Sequence, residues 1–303
     1  MFSSLVRDFG NFFFLRVMGR WVAGANAEDA IRYCKDLDGK CVINYLGEHY
    51  HEAAEAERCV LEYKRLLDLI VKNQAPAAIT IKPSQFGFNA QVPNPSSFCE
   101  KRMLEVVRYA AGLGIVSWLD MESSEYTDFT TAFYKRYAAK YPMGICLQAS
   151  LRRTEKDLDG LIAFSPSARI RLVKGIYLES GTIAFTDPAE IHKRFLALIR
   201  RAFEKSPAGF GIAVGTHHTE AVSLALSLQK KYRKKFFEIE VLKGVLPQYY
   251  KELRRQGINP TEYVPYGKDA FAYSVRRAMR NPRFASSMLF APFFDAYNKI
   301  YKS

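Results

Sequence analysis

The chain has 303 residues, of which 49% are hydrophobic and 25% are charged, so it can bury a large core and is not a disordered protein. Its formal net charge of +13 favours anionic partners such as nucleic acid, acidic lipid or a phosphate-bearing cofactor. The five cysteines form no CxxC pattern, which gives neither a zinc ribbon nor a disulfide framework and favours a cytoplasmic protein.

Residues 1–38 precede the regular part of the chain, and they predict one or two helices packed on the main domain. The apolar run Phe12–Leu15 is short, and the charged residues Arg16 and Arg20 come directly after it. A secretory signal has a longer uncharged run, so we interpret this segment as an amphipathic helix. No stretch of the chain approaches the ~18 uncharged apolar residues of a membrane span.

Short apolar runs rich in β-branched residues then recur, and an amphipathic pattern comes after each of them. The predicted strands are Cys41–Leu46, Ala78–Lys82, Ile115–Leu119, Gly144–Gln148, Ile170–Lys174, Gly211–Val214, Phe237–Leu242 and Glu262–Val264. The predicted helices are Glu52–Val71, Phe98–Ala111, Phe129–Ala139, Glu155–Phe164, Ile191–Phe203, Thr219–Lys231 and Gln248–Arg255. This alternation predicts a parallel sheet, and its length predicts an α/β fold, a TIM-like (β/α)8 barrel, over residues 39–285. A doubly wound open sheet is the alternative, but no glycine-rich turn follows the first strand.

Polar residues close several of these apolar runs. They are Lys82, Asp120, Gln148, Lys174, Gly175, Thr216, His217, His218 and Tyr263. In a (β/α)8 barrel the carboxyl ends of all strands meet at one mouth, so we expect these residues to lie together. The predicted cations of this mouth are Lys82, Arg171, Lys174, Arg276 and Arg277. They outnumber Asp120, which predicts a site for more than one anion, such as a carboxylate substrate and a pyrophosphate-bearing cofactor.

The last helical pattern carries a possible anion-binding face. Tyr273, Arg276 and Arg277 are spaced i, i+3 and i+4, so a helix presents them on one side. Paired guanidinium groups suit a planar carboxylate or a phosphate. Residues 286–303 are rich in aromatic side chains and predict a tail helix over a barrel groove, or an apolar patch that docks on a membrane or partner.

Taken together, these motifs resemble the proline dehydrogenase family, in its bacterial single-function, FAD-dependent form. The motifs that carry the resemblance are Arg171–Tyr177, Thr216-His217-His218, and Tyr263–Gly267 leading to Tyr273 and Arg276-Arg277. Supporting matches are Leu46-Gly47-Glu48, Lys82, Asp120-Met121-Glu122 and Gln148-Ala149. The resemblance implies a distorted barrel with extra N-terminal helices and a final helix over the mouth.

The resemblance also implies the reaction and the residues that serve it. The expected activity is the FAD-dependent oxidation of L-proline to Δ1-pyrroline-5-carboxylate by hydride transfer to flavin N5, the first step of proline catabolism, with a quinone as electron acceptor. The implied catalytic residues are Asp120 and Arg171. The implied substrate-binding residues are Lys82, Tyr263, Tyr273, Arg276 and Arg277. The implied FAD-binding residues are Met121, Gln148, Arg171, Lys174, Gly175, Ile176, Thr216 and His217. No metal site is expected, and the protein is expected in the cytoplasm with peripheral contact to the inner face of the cell membrane.

Four positions depart from the family pattern: His218, Glu240, Lys243 and Phe271. Glu240 stands where the family favours Gln, and an interaction with Lys243 is one expected compensation. These departures leave open a related flavin enzyme for another cyclic amino acid, such as hydroxyproline. A basic, non-enzymatic nucleic-acid-binding protein is the second alternative, although no recognised nucleic-acid motif occurs.

Overall fold

The computed structural model describes residues 19–37 and 39–267. Within these residues the chain forms a closed barrel of eight strands in sequential order. The strands are β1 (Cys41–Tyr45), β2 (Ala77–Ile81), β3 (Ser117–Leu119), β4 (Met143–Gln148), β5 (Arg169–Val173), β6 (Gly211–Gly215), β7 (Phe237–Leu242) and β8 (Thr261–Tyr266). Every neighbouring pair is parallel, including β8 with β1. The predicted (β/α)8 barrel is therefore confirmed.

Helices follow the strands on the outside of the barrel. In chain order they are α1 (Ala27–Asp36), α2 (Ala53–Lys72), α3 (Pro95–Gly112), α4 (Thr127–Tyr137), α5 (Thr154–Phe164), α6 (Pro188–Lys205), α7 (Thr219–Tyr232) and α8 (Pro247–Arg255). Two short 3-10 helices are Pro83–Phe86 and Ser124–Tyr126. The start of α6 shows how the sequence sets these bounds, because the Asp187 side chain accepts from the backbone N–H groups of Ala189 and Glu190 while Pro188 occupies the first turn.

The bounds of β3 and β8 differ from the prediction for identifiable reasons. The Ile115 N–H bonds to Ala110 O at 2.9 Å and so completes the end of α3, which delays β3 to Ser117. Strand β8 continues through Pro265, which pairs in register with Asn44. Proline has no N–H to donate, but its carbonyl accepts from Ala23 N–H at 2.8 Å.

The main core lies between the strands and the surrounding helices. A separate, smaller cluster fills the inside of the barrel, with Val42, Trp118, Ala213 and Tyr263 buried in it. Gly144 on β4 leaves space for the Trp118 indole, since a Cβ there would lie 2.3 Å from the ring. The barrel is thus a packed interior beneath a polar mouth, as expected of this fold.

The segment before β1 packs on the outside of β8. The Gly267 N–H bonds to Gly24 O at 2.9 Å, and the Tyr33 hydroxyl on α1 donates a 2.5 Å hydrogen bond to Glu262 on β8. All five cysteines are free and buried. Among the described helices, none has the length and apolar character needed to cross a bilayer. The expected final helix and the tail at 286–303 lie outside the described residues.

Candidate active site

Three side chains from distant parts of the chain form a connected group inside the barrel mouth. The Tyr263 hydroxyl on β8 donates a 2.6 Å hydrogen bond to Asp120 Oδ2, directly after β3. The other oxygen, Asp120 Oδ1, lies 3.6 Å from Arg171 Nη1 on β5. Parallel strands bring these residues together because their carboxyl ends share one side of the barrel.

Arg171 is almost completely enclosed, with 2% of its surface exposed. Its guanidinium carbon lies 4.4 Å from the centre of the Trp118 ring. Nε lies 2.7 Å from Glu240 Oε2 on β7, but its N–H does not point along this contact, which is therefore an ion pair and not an aligned hydrogen bond. Burial alone would lower the pKa of Arg171, yet Glu240 and Asp120 raise it above its usual range, so the positive charge is permanent.

Lys82 carries a second buried positive charge at the mouth. Its ammonium lies 2.8 Å from Glu48 Oε1, in the loop after β1. The Tyr177 hydroxyl, after β5, donates to the same oxygen at 3.4 Å. Burial lowers the pKa of Lys82, but Glu48, Tyr177 and the nearby carboxylates more than compensate, and the net direction is upward. The lysine is therefore cationic across the physiological pH range.

Glu122 is a buried carboxylate close to Lys82. Ser84 donates its backbone N–H at 3.0 Å and its hydroxyl at 2.5 Å to the two carboxylate oxygens. Burial raises the pKa of Glu122 to about 7, although Lys82 and Ser84 act in the opposite direction. This carboxyl group consequently changes charge near neutral pH.

Gln148, Ser150 and Gly175 form a polar edge where β4 and β5 end. Gln148 Nε2 donates to Glu122 O at 2.8 Å, while Gln148 Oε1 and Ser150 Oγ are buried without a hydrogen-bond partner among residues 19–37 and 39–267. Gly175 has φ +105°, and a Cβ there would lie 2.2 Å from Ser150 Oγ. The edge therefore offers unused polar atoms and a backbone that only glycine keeps open.

Thr216, His217 and His218 form the turn after β6. The Thr216 hydroxyl oxygen accepts from the His218 N–H at 3.1 Å. His217 Nε2 accepts from the Leu242 N–H at 3.0 Å, which places the proton of the neutral ring on Nδ1. The His218 ring lies 4.3 Å from that of His192 on α6, and so it contacts the outer helix layer.

The remaining predicted residues are partly exposed at the rim. Met121 follows β3, and Lys174 and Ile176 follow β5. Partial burial lowers the pKa of Lys174, against the opposing effect of Glu220. Three predicted site residues lie outside the described part of the chain: Tyr273, Arg276 and Arg277.

The structure bears on two electrostatic predictions. The described carboxylates of the mouth are Glu48, Asp120, Glu122 and Glu240. They number four against three described cations, Lys82, Arg171 and Lys174, while the other two cations of the predicted excess lie outside the described residues. The expected pair between Glu240 and Lys243 is wrong, because Glu240 pairs with Arg171 and the Lys243 ammonium donates to the carbonyls of Gly19 and Arg20 at 2.9 Å each.

Four residues that contact the predicted site were not assigned to it from the sequence: Glu48, Glu122, Tyr177 and Glu240. Glu48 closely follows β1 as Lys82 follows β2, so the strand-end pattern already contained its signal. Glu240 lies between Ile239 and Val241, and an acidic residue inside an apolar strand is a further signal. Tyr177 lies near the beginning of the loop after β5 and gives a weaker signal.

A metal centre finds no support in the described ranges, where no three His, Cys, Asp or Glu side chains gather around one point. His51 Nδ1 lies 3.3 Å from Asn89 O, while Glu55 Oε2 accepts from the backbone N–H of Glu52 at the start of α2. The histidine and the glutamates of this segment therefore form local hydrogen bonds in the loop and at the start of α2.

Comparison with known proteins agrees with this geometry. The family model described as "Proline dehydrogenase" matches residues 27–288. "Proline dehydrogenase 1" of Bacillus subtilis subsp. natto is 29% identical over 276 residues, covering 89% of this chain and 88% of that protein. "Proline dehydrogenase" of Deinococcus radiodurans is 27% identical over 275 residues, covering 88% of this chain and 87% of that protein.

The solved structure of proline utilization A (PutA) from Bdellovibrio bacteriovorus, inactivated by N-propargylglycine, superimposes with a TM-score of 0.78 at 19% identity. The superposition covers 86% of this chain. This chain spans about a third (32%) of the length of the PutA chain. That likeness shows the fold. The family match extends over all eight strands of the barrel and includes every strand-end residue described above, and the chain therefore belongs to the proline dehydrogenase family.

Proposed function

We propose that the protein oxidises L-proline to Δ1-pyrroline-5-carboxylate with FAD as its cofactor. The observation that carries the proposal is the connected group Tyr263–Asp120–Arg171 at the carboxyl ends of the strands of a family barrel. In this proposal Asp120 and Arg171 are the catalytic residues. When bound, FAD would supply the two-electron acceptor, receiving hydride at N5.

The buried polar atoms of the mouth fit a planar, polar cofactor. Gln148 Oε1, Ser150 Oγ and Arg171 Nη2 are buried and make no hydrogen bond within the described residues. Buried polar atoms normally find partners, so an unused set on one edge suits a ligand with complementary atoms. The residues proposed to hold FAD are Met121, Gln148, Arg171, Lys174, Gly175, Ile176, Thr216 and His217.

The protein's contribution to proline binding is charge and orientation. Lys82 is a buried cation, and we propose that it binds the proline carboxylate together with Arg276 and Arg277. Tyr263 and Tyr273 are proposed to line the ring pocket. Fixing the carboxylate at two or three points sets which ring carbon faces the acceptor.

Electron transfer onward to a quinone completes the proposal. The net charge of +13 supports peripheral contact with an anionic membrane surface, since basic surface residues are attracted to acidic lipids. The basic cluster at residues 230–235 offers less positive charge to such a surface than its sequence suggests. Lys234 is buried and donates to the carbonyls of Ser206 and Pro207, so it stabilises the end of α6 and is not available to a polyanion.

The decisive experiment is an anaerobic titration of the purified protein loaded with FAD. Addition of L-proline should bleach the flavin absorbance and form one equivalent of Δ1-pyrroline-5-carboxylate per flavin, and a soluble quinone should then reoxidise the flavin and restore its absorbance. A panel with hydroxyproline and other cyclic amino acids compares the rates of bleaching. A protein that takes up no FAD, or whose flavin L-proline leaves oxidised, would refute the proposal.

A further inference from the structure

The inside of the barrel contains a carboxylate for which the proposed reaction has no direct use. Glu240 on β7 is 3% exposed, and its Oε2 lies 2.7 Å from Arg171 Nε. Its other oxygen, Oε1, is buried without a hydrogen-bond partner in the described chain. A buried carboxylate is costly unless it is paired, so the contact of Glu240 with the buried Arg171 connects its role to that cation.

The contacts of Arg171 indicate what that role is. Its guanidinium is flanked on three sides, by Glu240 at Nε, by Asp120 at Nη1 (3.6 Å) and by the Trp118 ring 4.4 Å away. Nη2 is buried and makes no hydrogen bond within the described residues. Glu240 thus contacts Arg171 at Nε, while Nη1 lies next to Asp120.

The charges of this group do not cancel. The ionisable groups that act on Glu240 from the packed strands are Arg171 on β5, Asp120 after β3 and Glu238 on β7 itself. One permanent guanidinium charge therefore faces two close carboxylates. Burial raises the pKa of Glu240 to about 7, with Arg171 acting in the opposite direction, so Glu240 is largely ionised at pH 8.

We propose that Glu240 is a positioning residue that holds Arg171 by its Nε and, by partly neutralising that cation, lowers the reduction potential of the bound flavin. The inference rests on the proposed function, because it places Arg171 beside the flavin. A positive charge near a flavin stabilises the reduced, anionic form, and a carboxylate behind that charge weakens the effect. Glu240 would then set how strongly the enzyme draws electrons from its substrate.

Two substitutions separate the charge of Glu240 from its contact with Arg171. Glu240→Gln removes the charge and keeps a polar side chain of the same size next to Nε, whereas Glu240→Leu removes both the charge and the polar contact. The matched control is Glu238→Gln, which removes the same charge two residues earlier on the same strand, where the carboxylate pairs with Lys40 at 3.1 Å. The measurement is the midpoint potential of the FAD-loaded protein at pH 8, together with the dissociation constant for FAD.

In Glu240→Gln we expect the ratio of reduced to oxidised flavin at a fixed potential to rise at least about tenfold, which for a two-electron couple is a positive shift of ~30 mV. FAD affinity should change less than about threefold. Glu240→Leu should show a similar shift in midpoint potential. It should also bind FAD about tenfold or more weakly, because Arg171 loses its polar contact at Nε. Glu238→Gln should leave both quantities near wild type.

An unchanged potential in Glu240→Gln would overturn the inference, as would a shift of equal size in Glu238→Gln, which would reveal an effect of overall charge. These outcomes are distinct from failure of the proposed function. If the wild-type protein binds FAD and L-proline bleaches it, the function stands whatever the potential of the variants. If the wild type binds no FAD, the function fails before the variants are compared.

Discussion

The hydroxyl of Tyr263 connects β8 to Asp120, the proposed catalytic carboxylate, through a 2.6 Å hydrogen bond. A hydrogen bond to a charged group contributes about 1.5–3 kcal/mol. Tyr263→Phe should therefore lower kcat/KM for proline roughly 10- to 100-fold, because Asp120 loses a neighbour that fixes its orientation towards Arg171. Steady-state kinetics with a soluble quinone measure this change.

A matched control exists on the other face of the same strand. Tyr33→Phe also removes a tyrosine–carboxylate hydrogen bond to β8, in this case the 2.5 Å bond to Glu262 outside the barrel. It should lower stability and leave kcat/KM within about twofold of wild type. Equal losses of activity in the two variants would mean that the Tyr263 hydroxyl acts only through folding.

The ionisation of Glu122 links stability to pH. Its pKa is about 7 in the folded protein against an ordinary value of 4.5, so the folded chain binds more protons than the unfolded chain between these values. Stability from this group is therefore lost as pH rises from 4.5 to 7. Glu122→Gln removes that loss, and its amide oxygen can accept from the Ser84 N–H while its amide nitrogen can donate to Ser84 Oγ.

Relative to wild type, Glu122→Gln should gain on the order of 1 to 3 kcal/mol in free energy of unfolding between pH 5 and pH 8. Urea unfolding at several pH values measures the difference. Glu125→Gln serves as the control, since Glu125 is exposed and its replacement should give no pH-dependent gain. If the free energy of unfolding of Glu122→Gln differs from that of wild type by the same amount at every pH, Glu122 is not the group that links stability to pH.

At the scale of elements, the eight strands could be located from the sequence to within about two residues. Both faces of a barrel strand are buried, so each strand is a continuous apolar run with a clear beginning and end. The strand-end pattern also found Lys82, Asp120 and Tyr263, because polar residues that close buried runs are rare, whereas Arg171 lies inside β5 and was predicted from its charge and the family resemblance. The start of β3 was missed because Ile115 gives its N–H to the end of α3, a local competition that hydrophobicity does not record.

Pairing between loops was much harder to predict than the strands themselves. Glu48, Lys82 and Tyr177 come from three separate loops, and their contacts depend on the barrel's closure between β1 and β8 and on the path of the loop after β5. The sequence shows each residue but not which loop faces which. The same reason explains why Glu240 was expected to pair with its sequence neighbour Lys243 and pairs instead with Arg171, two strands away.

The loop after β5 offers a test of the proposed cofactor site. Gly175→Ala would place a methyl group 2.2 Å from Ser150 Oγ at a positive φ, so we expect a loss of about 1–3 kcal/mol in stability and at least about a tenfold weaker affinity for FAD. Gly181→Ala is the control in the same loop, because a Cβ there meets no atom within 4 Å. Fluorescence titration with FAD measures both variants, and an unchanged affinity in Gly175→Ala would remove this edge from the cofactor site.

For the molecule as a whole, the closed barrel should couple cofactor binding to global stability. The proposed FAD contacts come from the ends of β3, β4, β5 and β6, which are neighbouring strands of one closed barrel, so bound FAD would connect four of its strands. FAD at 100 times its dissociation constant should stabilise the protein by about 2.7 kcal/mol, which raises Tm by several degrees. Calorimetry of the apo and loaded protein checks this, and equal Tm values would argue against a site spread over several strands.

The burial of all five thiols has a practical consequence for studying motion at the mouth. Maleimide dyes react with accessible thiolates, and enclosed sulfhydryls of this kind are inert to them. A cysteine introduced on an exposed loop, for example at Leu178 with 83% of its surface in solvent, would be labelled selectively in the otherwise native background. Single-molecule fluorescence could then follow that loop during turnover without first replacing any natural residue of the core.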